Sequence, residues 1–427
     1  MNDFDTIVVG AGLAGLACSR ELWRAGRRTL LLEAADRVGG RVATDTVAGF
    51  RIDRGFQVLN DAYPEARRQL DLAALRPGRF EPGAVVAEGR RLRRVADPWR
   101  QPLAAVASLL QGTVGLRDAV RAARLRHDAI AAFRGGRLDP DQPATDAERT
   151  TAEELTARGF SPGFIQTFFL PFFGGVFLER RLDTAAAVFL FDFAMFALGR
   201  ATLPTGGMAA IPAQLAAALP ADAVRTSCPV KRVAPGLVEL ADGDQLSATE
   251  VVVATDAGGA ARLLPPEYRG PWTSRRTKGT VLVAFAADRS PLDSPTLVVN
   301  AAAEGPIDNL TVPSDVAPGY AAGGGAVICV SLRPEWAAAD RRAEVGDAIR
   351  RQAADWFGAA PQTWRPLTTI DVPHALPDES PAARRMRPPG PRLAAGLVLC
   401  GDHATSGSIN GALASGRRAA EAVLAAG

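Results

Sequence analysis

The 427-residue sequence predicts an α/β fold built around a parallel sheet. Near its start, two short apolar runs, 6–9 and 29–32, flank a helical pattern, as in a β-α-β unit. Near its end, the apolar run 397–400 leads through a glycine-rich turn into a long helical pattern. All three runs have the composition of buried parallel strands. We therefore expect both regions to contribute strands to one sheet.

Composition and charge exclude several classes of protein. Lysine and arginine total 49 and aspartate and glutamate total 46, and this net charge of +3 argues against a nucleic-acid partner. The four cysteines are far apart and only three histidines occur, so we expect neither a disulfide scaffold nor a metal site. The first residues show no secretory pattern, and the thiols suit a reducing cytoplasm. The apolar run 185–198 is too short to span a membrane and carries Asp192, which indicates a buried helix or the lining of an apolar tunnel.

The turn after the first strand has the form G-x-G-x-x-G. Gly10 permits a tight turn, Gly12 lets the backbone approach a diphosphate, and Gly15 lets the helix pack on the strand. Leu13 and Ala14 open the helix, whose free N–H groups favour an anion. The pattern predicts a Rossmann-type dinucleotide site, with a purely structural glycine turn as the alternative.

An acidic residue ends the second strand, as in dinucleotide sites. Glu33 can accept hydrogen bonds from both ribose hydroxyls. The segment that begins there, EAADRVGGRVAT (33–44), resembles the signature of the flavin-containing amine oxidase and phytoene desaturase superfamily. By that resemblance Glu33 holds the adenosine ribose of FAD, and the following turn contacts the diphosphate and ribityl chain. The implied cofactor residues of that turn are Arg37, Gly39, Gly40 and Arg41. A plain Gly-Gly turn is the alternative.

The region around residue 400 carries a second part of the same resemblance. The strand 397–400 runs into a Gly-Asp-His sequence and then into the glycine-rich turn 406–412. The FAD contacts implied here are those of Gly401, Asp402, Ser408, Ile409, Asn410 and Ala412. Asp402 would accept hydrogen bonds from the ribityl chain, and the positive end of the helix would face the flavin edge that gains charge on reduction. No cysteine falls in the turn, so we expect non-covalent FAD.

Two further segments belong to the implied site. In the family, a segment similar to Gly55, Phe56 and Gln57 passes close to the flavin ring. Val230 is the candidate for the valine that places its backbone against the adenine. A strand-end turn at Gly55 and sheet packing at Val230 are the alternatives.

We expect two domains, each assembled from separate segments of the chain. The predicted FAD-binding domain comprises 1–75, 203–262 and 376–427, and the predicted α+β substrate domain comprises 76–202 and 263–375.

Local patterns within the substrate domain predict individual elements. They indicate a hairpin at 83–95, a helical stretch from 98 to 133, a polar surface loop at 135–149 and a helix opened by a capping box at Thr151. In the FAD-binding domain, the pair Asp242-Gly243 indicates a further hairpin between 238–240 and 245–246. Residues 159–200 are rich in phenylalanine. Such density is typical of a core, or of the wall of a pocket for a large apolar ligand.

The catalytic residues are less sharply indicated than the cofactor residues. The resemblance implies hydride transfer to flavin N5, often without a strong acid or base from the protein. His374 and His403 are the candidate acid or base groups, with a structural role as the alternative for each. Amine oxidases frame the substrate with two aromatic rings, and no tyrosine lies near Asp402 in this sequence. Amine oxidases also use a lysine near N5, but we predict that Lys278 lies on the surface.

Three functional hypotheses follow. The first is an FAD-dependent dehydrogenase or desaturase of a mostly apolar small molecule, favoured by the phenylalanine-rich region. The second is an amine or amino-acid oxidase that releases hydrogen peroxide. The third is a non-catalytic binding protein, as the Rab GDP-dissociation inhibitors are within the superfamily, although the flavin motifs are intact here. The arginine-rich stretch 90–100 and the basic helix 117–127 also suit peripheral membrane contact, with a solvated face as the alternative.

Overall fold

The computed structural model describes residues 3–102, 114–142, 144–302, 304–338 and 341–426. Its strands are β1 (Phe4–Val9), β2 (Thr29–Leu32), β3 (Thr44–Val47), β4 (Phe50–Asp53), β5 (Leu59–Asn60), β6 (Pro77–Arg79), β7 (Gly83–Glu88), β8 (Arg91–Ala96), β9 (Ala201–Pro204), β10 (Val224–Arg225), β11 (Val230–Ala234), β12 (Leu237–Leu240), β13 (Gln245–Val253), β14 (Thr277–Ala287), β15 (Leu297–Asn300), β16 (Ile307–Thr311), β17 (Ala326–Leu332), β18 (Arg365–Pro377), β19 (Arg392–Ala394) and β20 (Leu397–Leu399). The α-helices span Leu13–Arg24, Pro64–Gln69, Leu116–Arg134, Thr151–Ala157, Pro162–Phe164, Leu170–Phe177, Ala186–Leu198, Ala210–Ala216, Ala257–Leu263, Pro313–Val316, Arg342–Phe357, Pro381–Arg385 and Ile409–Leu424.

The first large sheet contains the strands predicted from both ends of the sequence. Strands β2, β1, β13 and β20 lie side by side and run parallel. Leu31, Val8, Val252 and Val398 form one row across them, and all four are fully buried. Strand β10 extends the parallel part, and β12 and β11 continue it as an antiparallel meander. This arrangement confirms the predicted α/β fold class with a Rossmann-type sheet.

Two glycines set the packing of the helices next to this sheet. A Cβ on Gly15 would collide with the carbonyl oxygen of Gly10, and a Cβ on Gly416 would collide with the carbonyl oxygen of Ala14. The first helix therefore approaches both the β1 turn and the helix Ile409–Leu424 more closely than larger residues permit. The two ends of the described chain thus form one packing unit.

The second large sheet has the strand order β18-β14-β17-β16-β15-β7-β8. One face packs on the helix Arg342–Phe357 through Val345 and Ile349. Leu282 and Cys329 on the other face belong to the same hydrophobic core as the helices of the first sheet. The second sheet is therefore fixed against the first, and its inner face is turned toward the carboxyl ends of the first sheet's strands.

Strands of the two large sheets alternate along the chain: β1 and β2 belong to the first sheet, β7 and β8 to the second, β10–β13 to the first, β14–β18 to the second, and β19 and β20 to the first. Two of the predicted domain limits fall inside strands, because β9 continues past residue 202 and β18 continues past residue 375. We propose that the domain limits lie at the ends of these strands.

Several predictions of local structure are confirmed and two are corrected. The hairpin β7–β8 and the D-G hairpin β12–β13 are present. The capping box begins one residue earlier than predicted, since Thr150 and Glu153 cap each other. The predicted surface loop at 135–149 is not wholly exposed, because Pro140 and Asp141 are buried against the segment 384–406. Part of the helical stretch predicted after residue 98 lies outside the described residues, and the described helix begins at 116.

Among the described residues, no helix is both long enough and apolar enough to cross a membrane.

Candidate cofactor site and adjoining chamber

A cavity of about 680 Å³ lies between the carboxyl ends of β1 and β2 and the inner face of the second sheet. Ligands of open α/β sheets bind at this edge of the strands. Most of the predicted cofactor residues line the cavity: Gly10, Gly12, Leu13, Ala14, Glu33, Gly39, Gly40, Arg41, Gly55, Phe56, Gln57, Val230, Gly401, Asp402, Ser408, Ile409 and Ala412. Residues that are hundreds of positions apart in the sequence thus surround one elongated space.

Glu33 marks one end of the cavity. Its carboxylate accepts hydrogen bonds from the backbone N–H groups of Ala11, at 2.7 Å, and Ala35, at 2.9 Å. These two contacts fix the carboxylate at the end of β2, and its remaining lone pairs face the cavity that Val230 also lines. The position suits the ribose and adenine of a dinucleotide.

The next part of the cavity has no side chain where a diphosphate would lie. Gly12 is the N-cap of the first helix, which has neither a side-chain cap nor an acidic residue in its first turn. A Cβ on Gly12 would meet no atom within 4 Å, so this position borders open space. Gly10 and Gly39 adopt φ values of +107° and +114°, which glycine favours. A helix N-terminus with uncapped N–H groups is a suitable anion site.

The buried Asp402 and the half-buried Arg41 form an ion pair in the cavity wall. Their nitrogen–oxygen distance is 2.6 Å, and Arg41 also donates to the Ala375 carbonyl oxygen at 2.8 Å. Although burial raises the pKa of Asp402, the Arg41 guanidinium lowers it by more, and the pKa lies below its ordinary value. Asp402 is therefore an ionised acceptor. Ser408 caps the adjacent helix by accepting from the Gly411 N–H at 2.9 Å, and that helix directs its positive end into the cavity.

Gly55 lies in the cavity wall next to the second sheet. Its φ is +87°, and a Cβ there would lie 3.5 Å from Thr280 and 3.8 Å from Val372 of the second sheet. Gln57 donates to the carbonyl oxygens of Arg41 and Arg54, at 2.8 and 2.9 Å, which holds this segment against the turn at residues 39–41. A planar ring would lie here between segments of both sheets.

The sequence profile of a single family, described as flavin-containing amine oxidoreductase, matches residues 13–424. The chain belongs to this family. The match confirms the predicted flavin cofactor, and the cavity of this family member fits FAD, because an acidic ribose acceptor, an uncapped helix N-terminus and an ionised carboxylate follow one another along it.

Curated relatives of this flavin-containing amine oxidoreductase align over short segments. A putative flavin-containing monoamine oxidase of Mycobacterium tuberculosis is 57% identical over 51 residues, which cover 12% of this chain and 11% of the relative. A phytoene dehydrogenase of Streptomyces griseus is 37% identical over 130 residues, which cover 28% of this chain and 24% of the relative. The chain therefore matches less than a quarter of the length of these relatives.

Solved structures align over the whole chain. A putrescine oxidase bound to putrescine has a TM-score of 0.74 at 17% identity and covers 99% of both chains. A putative protoporphyrinogen oxidase from Exiguobacterium has the same TM-score and identity and covers 100% of both chains. These likenesses establish the fold.

Beyond Gly55 the cavity continues into a space that we call the chamber. Its apolar wall consists of Pro171, Phe172, Val176, Phe177, Val188, Phe191, Phe196, Leu297 and Val299. Other members of the phenylalanine-rich region form core, and Phe169, Phe173 and Phe189 are almost fully buried in it. The phenylalanine-rich region therefore contributes some side chains to the core and others to the cavity wall.

The prediction that Lys278 lies on the surface is wrong. Its ammonium is paired with the Glu179 carboxylate and lies 3.5 Å from the Thr184 hydroxyl, and the side chain lines the cavity. The reason is that β14 is an interior strand between β17 and β18, and alternation along it turns Lys278 and Thr280 toward the cavity while Thr277 and Gly279 stay exposed. Lys278 lies two residues before Thr280, which packs toward Gly55.

Neither candidate histidine lines the main cavity. His374 is exposed and its Nδ1 lies 2.7 Å from the Thr277 hydroxyl, because alternation along β18 turns Ala375 inward instead. His403 is buried against Trp272, with ring centroids 5.4 Å apart, and neither ring nitrogen has a hydrogen-bond partner among the described residues. Burial lowers the pKa of His403 to about 4, so this ring is neutral. Both side chains therefore lie outside the wall of the main cavity.

Three predicted cofactor residues lie behind the wall rather than in it. Gly15 serves helix packing, as described above. The Arg37 guanidinium turns away to pair with Asp45 at 2.7 Å. The Asn410 amide oxygen accepts from the Glu65 N–H at 3.0 Å and is buried beneath the first turn of its helix.

Sequence reasoning missed three polar residues of the chamber: Tyr63, Asp192 and Glu379. Tyr63 is stacked beside Phe191 with parallel rings 6.2 Å apart, although it is more than 300 residues from Asp402 in the sequence. Asp192 did carry a signal, since it is the single charged residue in the apolar run 185–198. Nothing local distinguishes Glu379 or Tyr63.

Proposed function

We propose that this chain is an FAD-dependent oxidoreductase that removes a hydride from a small molecule whose body is mostly apolar. The observation that supports the proposal is the continuity of the cavity, from the Glu33 end to the chamber walled by Phe172, Phe191 and Phe196. When bound, FAD supplies a two-electron acceptor. The protein's part is to hold that acceptor at one end of the chamber and the substrate in the rest.

The protein groups along the cavity have distinct roles in this proposal. Glu33 binds the ribose, and Asp402, kept ionised by Arg41, accepts from the ribityl chain. The apolar side chains of the chamber bury the substrate's hydrocarbon and exclude water from the reacting carbon. We assign no acid or base role to His374 or His403, because neither side chain lines the cavity.

A second candidate function is amine oxidation with release of hydrogen peroxide. The observation that favours it is Lys278, whose ammonium lies in the chamber wall beside Thr280 rather than on the surface. By the family resemblance, a lysine so placed holds a water molecule near flavin N5. Tyr63, stacked beside Phe191, also supplies the chamber with an aromatic hydroxyl that the sequence did not lead us to expect.

The first experiment is the visible spectrum of the purified protein before and after acid denaturation. A flavin spectrum whose colour stays in the supernatant would establish non-covalent FAD. Anaerobic bleaching by terpenoids, polyenes and alkylamines of equal chain length then separates the two functions. Bleaching by the hydrocarbons supports the proposal, whereas bleaching by amines alone, with peroxide formed in air, supports the second candidate. A colourless protein that takes up no added FAD would support the third hypothesis, that of a non-catalytic binding protein.

We propose that the protein works in the cytoplasm, supported by four cysteines that are all unpaired. The alternative is a protein that also contacts the membrane surface. Exposed apolar side chains of the described residues gather between 92 and 120, namely Leu92, Trp99, Leu116 and Val120. Arginines flank them, which suits anionic lipid. Co-sedimentation with phosphatidylglycerol vesicles, compared with phosphatidylcholine vesicles, tests this alternative directly.

A further inference from the structure

The charged side chains of the chamber differ in how they are neutralised. Lys278 is paired with Glu179. Glu379 is paired with Arg387 and lies 3.4 Å from Arg275. Asp192 has no ion pair with any described residue. Among the described residues, the chamber therefore holds one carboxyl group whose charge no cationic side chain compensates.

Asp192 is placed for contact with a ligand rather than for stability. It lies in the middle of the helix Ala186–Leu198, all of whose other residues are apolar, and it is 8% exposed. It lines the cavity together with Tyr63, whose hydroxyl lies within hydrogen-bonding reach of its carboxyl group. A buried carboxylate without a cation costs folding free energy. A ligand that brings a positive charge would offset this cost.

We propose that Asp192 is a specificity-determining residue that binds a cationic ammonium group of the substrate. The proposal rests on the proposed function, because it assumes that the chamber holds the substrate. The anchored group is remote from the carbon that is oxidised, since a protonated amine lacks the lone pair that drives hydride loss from its own carbon. The substrate is then an amphiphile with an apolar body and one ammonium group.

The ionisation of Asp192 gives this contact a characteristic dependence on pH. Burial raises the pKa of Asp192 to about 7, the Tyr63 hydroxyl opposes that shift, and Glu379 adds to it. The ionised fraction then rises from roughly a tenth at pH 6 to roughly nine-tenths at pH 8. A cation that binds only the ionised form should bind about tenfold more tightly at pH 8 than at pH 6.

The test uses octyltrimethylammonium, whose charge does not change with pH and which has no lone pair to support hydride loss. Isothermal titration calorimetry on the holoenzyme measures its dissociation constant at pH 6, 7 and 8, with octan-1-ol as the neutral comparison. We expect the cation's dissociation constant to fall about tenfold over this range, while that of the alcohol stays constant.

Two variants locate the effect. Asp192→Asn should weaken binding of the cation at pH 8 by about 10- to 100-fold and abolish its pH dependence. Asp183→Asn removes a carboxylate from an exposed site and should change neither the affinity for the cation nor its pH dependence. The proposal would be overturned if Asp192→Asn bound the cation as tightly as the wild type at pH 8. It would also be overturned if the wild-type affinity for the cation did not change with pH. If Asp192→Asn does not fold, the wild-type pH series decides alone. Calorimetry needs no turnover. A holoenzyme that binds the cation but is not bleached by any substrate would therefore count against the proposed function and not against the role of Asp192.

Discussion

Asp402 is the residue whose loss should affect the cofactor most directly. Replacing it with alanine removes the proposed ribityl acceptor and leaves the half-buried Arg41 guanidinium without this partner. A charge-assisted hydrogen bond of this kind contributes about 1.5 to 3 kcal/mol, so we expect FAD to bind about 10- to 100-fold more weakly. Quenching of FAD fluorescence measures the dissociation constant. Asp378→Ala, which removes a neighbouring carboxylate outside the cavity wall, is the control. Full flavin occupancy in Asp402→Ala would contradict the assignment.

His403 should make the fold sensitive to acid. Its pKa is about 4 in the folded protein and about 6.5 when unfolded, so the unfolded chain binds more protons between these values. Stability is therefore lost as pH falls from 6.5 toward 4, by about 2 to 3 kcal/mol between pH 6.5 and 4.5. His403→Phe keeps the stacking on Trp272 and removes the titration.

Urea unfolding at several pH values checks this prediction. The free energy of unfolding of His403→Phe should fall less steeply with acid than that of the wild type. Parallel curves for the two proteins would show that His403 takes up no proton on unfolding in this range.

The residues of the cofactor half were predictable because their signals are local. The glycines at 10 and 12, Glu33 and Asp402 each stand at a fixed offset from a strand, and the strand itself is visible as an apolar run. The chamber residues have no such offset. Tyr63, Lys278 and Asp192 come together only through the packing of the two sheets and the helix Ala186–Leu198. The alternation of side chains along β18 likewise turns His374 outward, and the sequence alone does not show which residues of this strand face the cavity.

At the scale of elements, contact between the first and last helices depends on Gly416. A Cβ there would collide with the Ala14 carbonyl oxygen, which is backbone and cannot move aside alone. We expect Gly416→Ala to destabilise the protein by about 1 to 3 kcal/mol and to lower flavin content, because the two helices border the cavity. Gly346→Ala is the matched control, since this helical glycine has nothing within 4 Å.

Gly346→Ala should leave stability unchanged or raise it by up to about 1 kcal/mol, because alanine favours the helix. Thermal unfolding followed by circular dichroism compares the two variants. A Gly416→Ala protein as stable as Gly346→Ala would mean that the helices separate without cost.

Elements with strong periodicity were predicted well, and those fixed by distant contacts were not. The β-α-β unit and the hairpins β7–β8 and β12–β13 match their sequence patterns. The loop around Pro140 is polar in composition, yet the Arg384 and Arg387 guanidinium groups donate to its carbonyl oxygens and hold it inside. Composition alone could not reveal these arginines as partners.

At the scale of the whole molecule, FAD should stabilise the fold, because its site joins segments around residues 10–58, 230 and 401–412. Free FAD at 100 times its dissociation constant adds about 2.7 kcal/mol. For 427 residues with an unfolding entropy of about 2.1 cal/mol/K each, this corresponds to a rise in Tm of roughly 3 °C. Differential scanning calorimetry of the apoprotein with and without FAD measures it.

FMN at the same concentration is the comparison ligand. It lacks the adenosine that Glu33 and Val230 would contact, so its effect on Tm should be smaller. Equal shifts with FMN and FAD would argue that the Glu33 end of the cavity contributes nothing to binding.

The packing of the helix Ile409–Leu424 on the helix Leu13–Arg24 also has a consequence for biosynthesis. Almost 400 residues separate Gly10 from Asp402, so a ribosome adding 5 to 20 residues per second completes the site roughly 20 to 80 s after starting it. Throughout that interval the first helix lacks its partner, and its apolar face is available to chaperones. Cofactor loading is consequently a late event in the synthesis of each chain, because the site is complete only after the helix Ile409–Leu424 has been made.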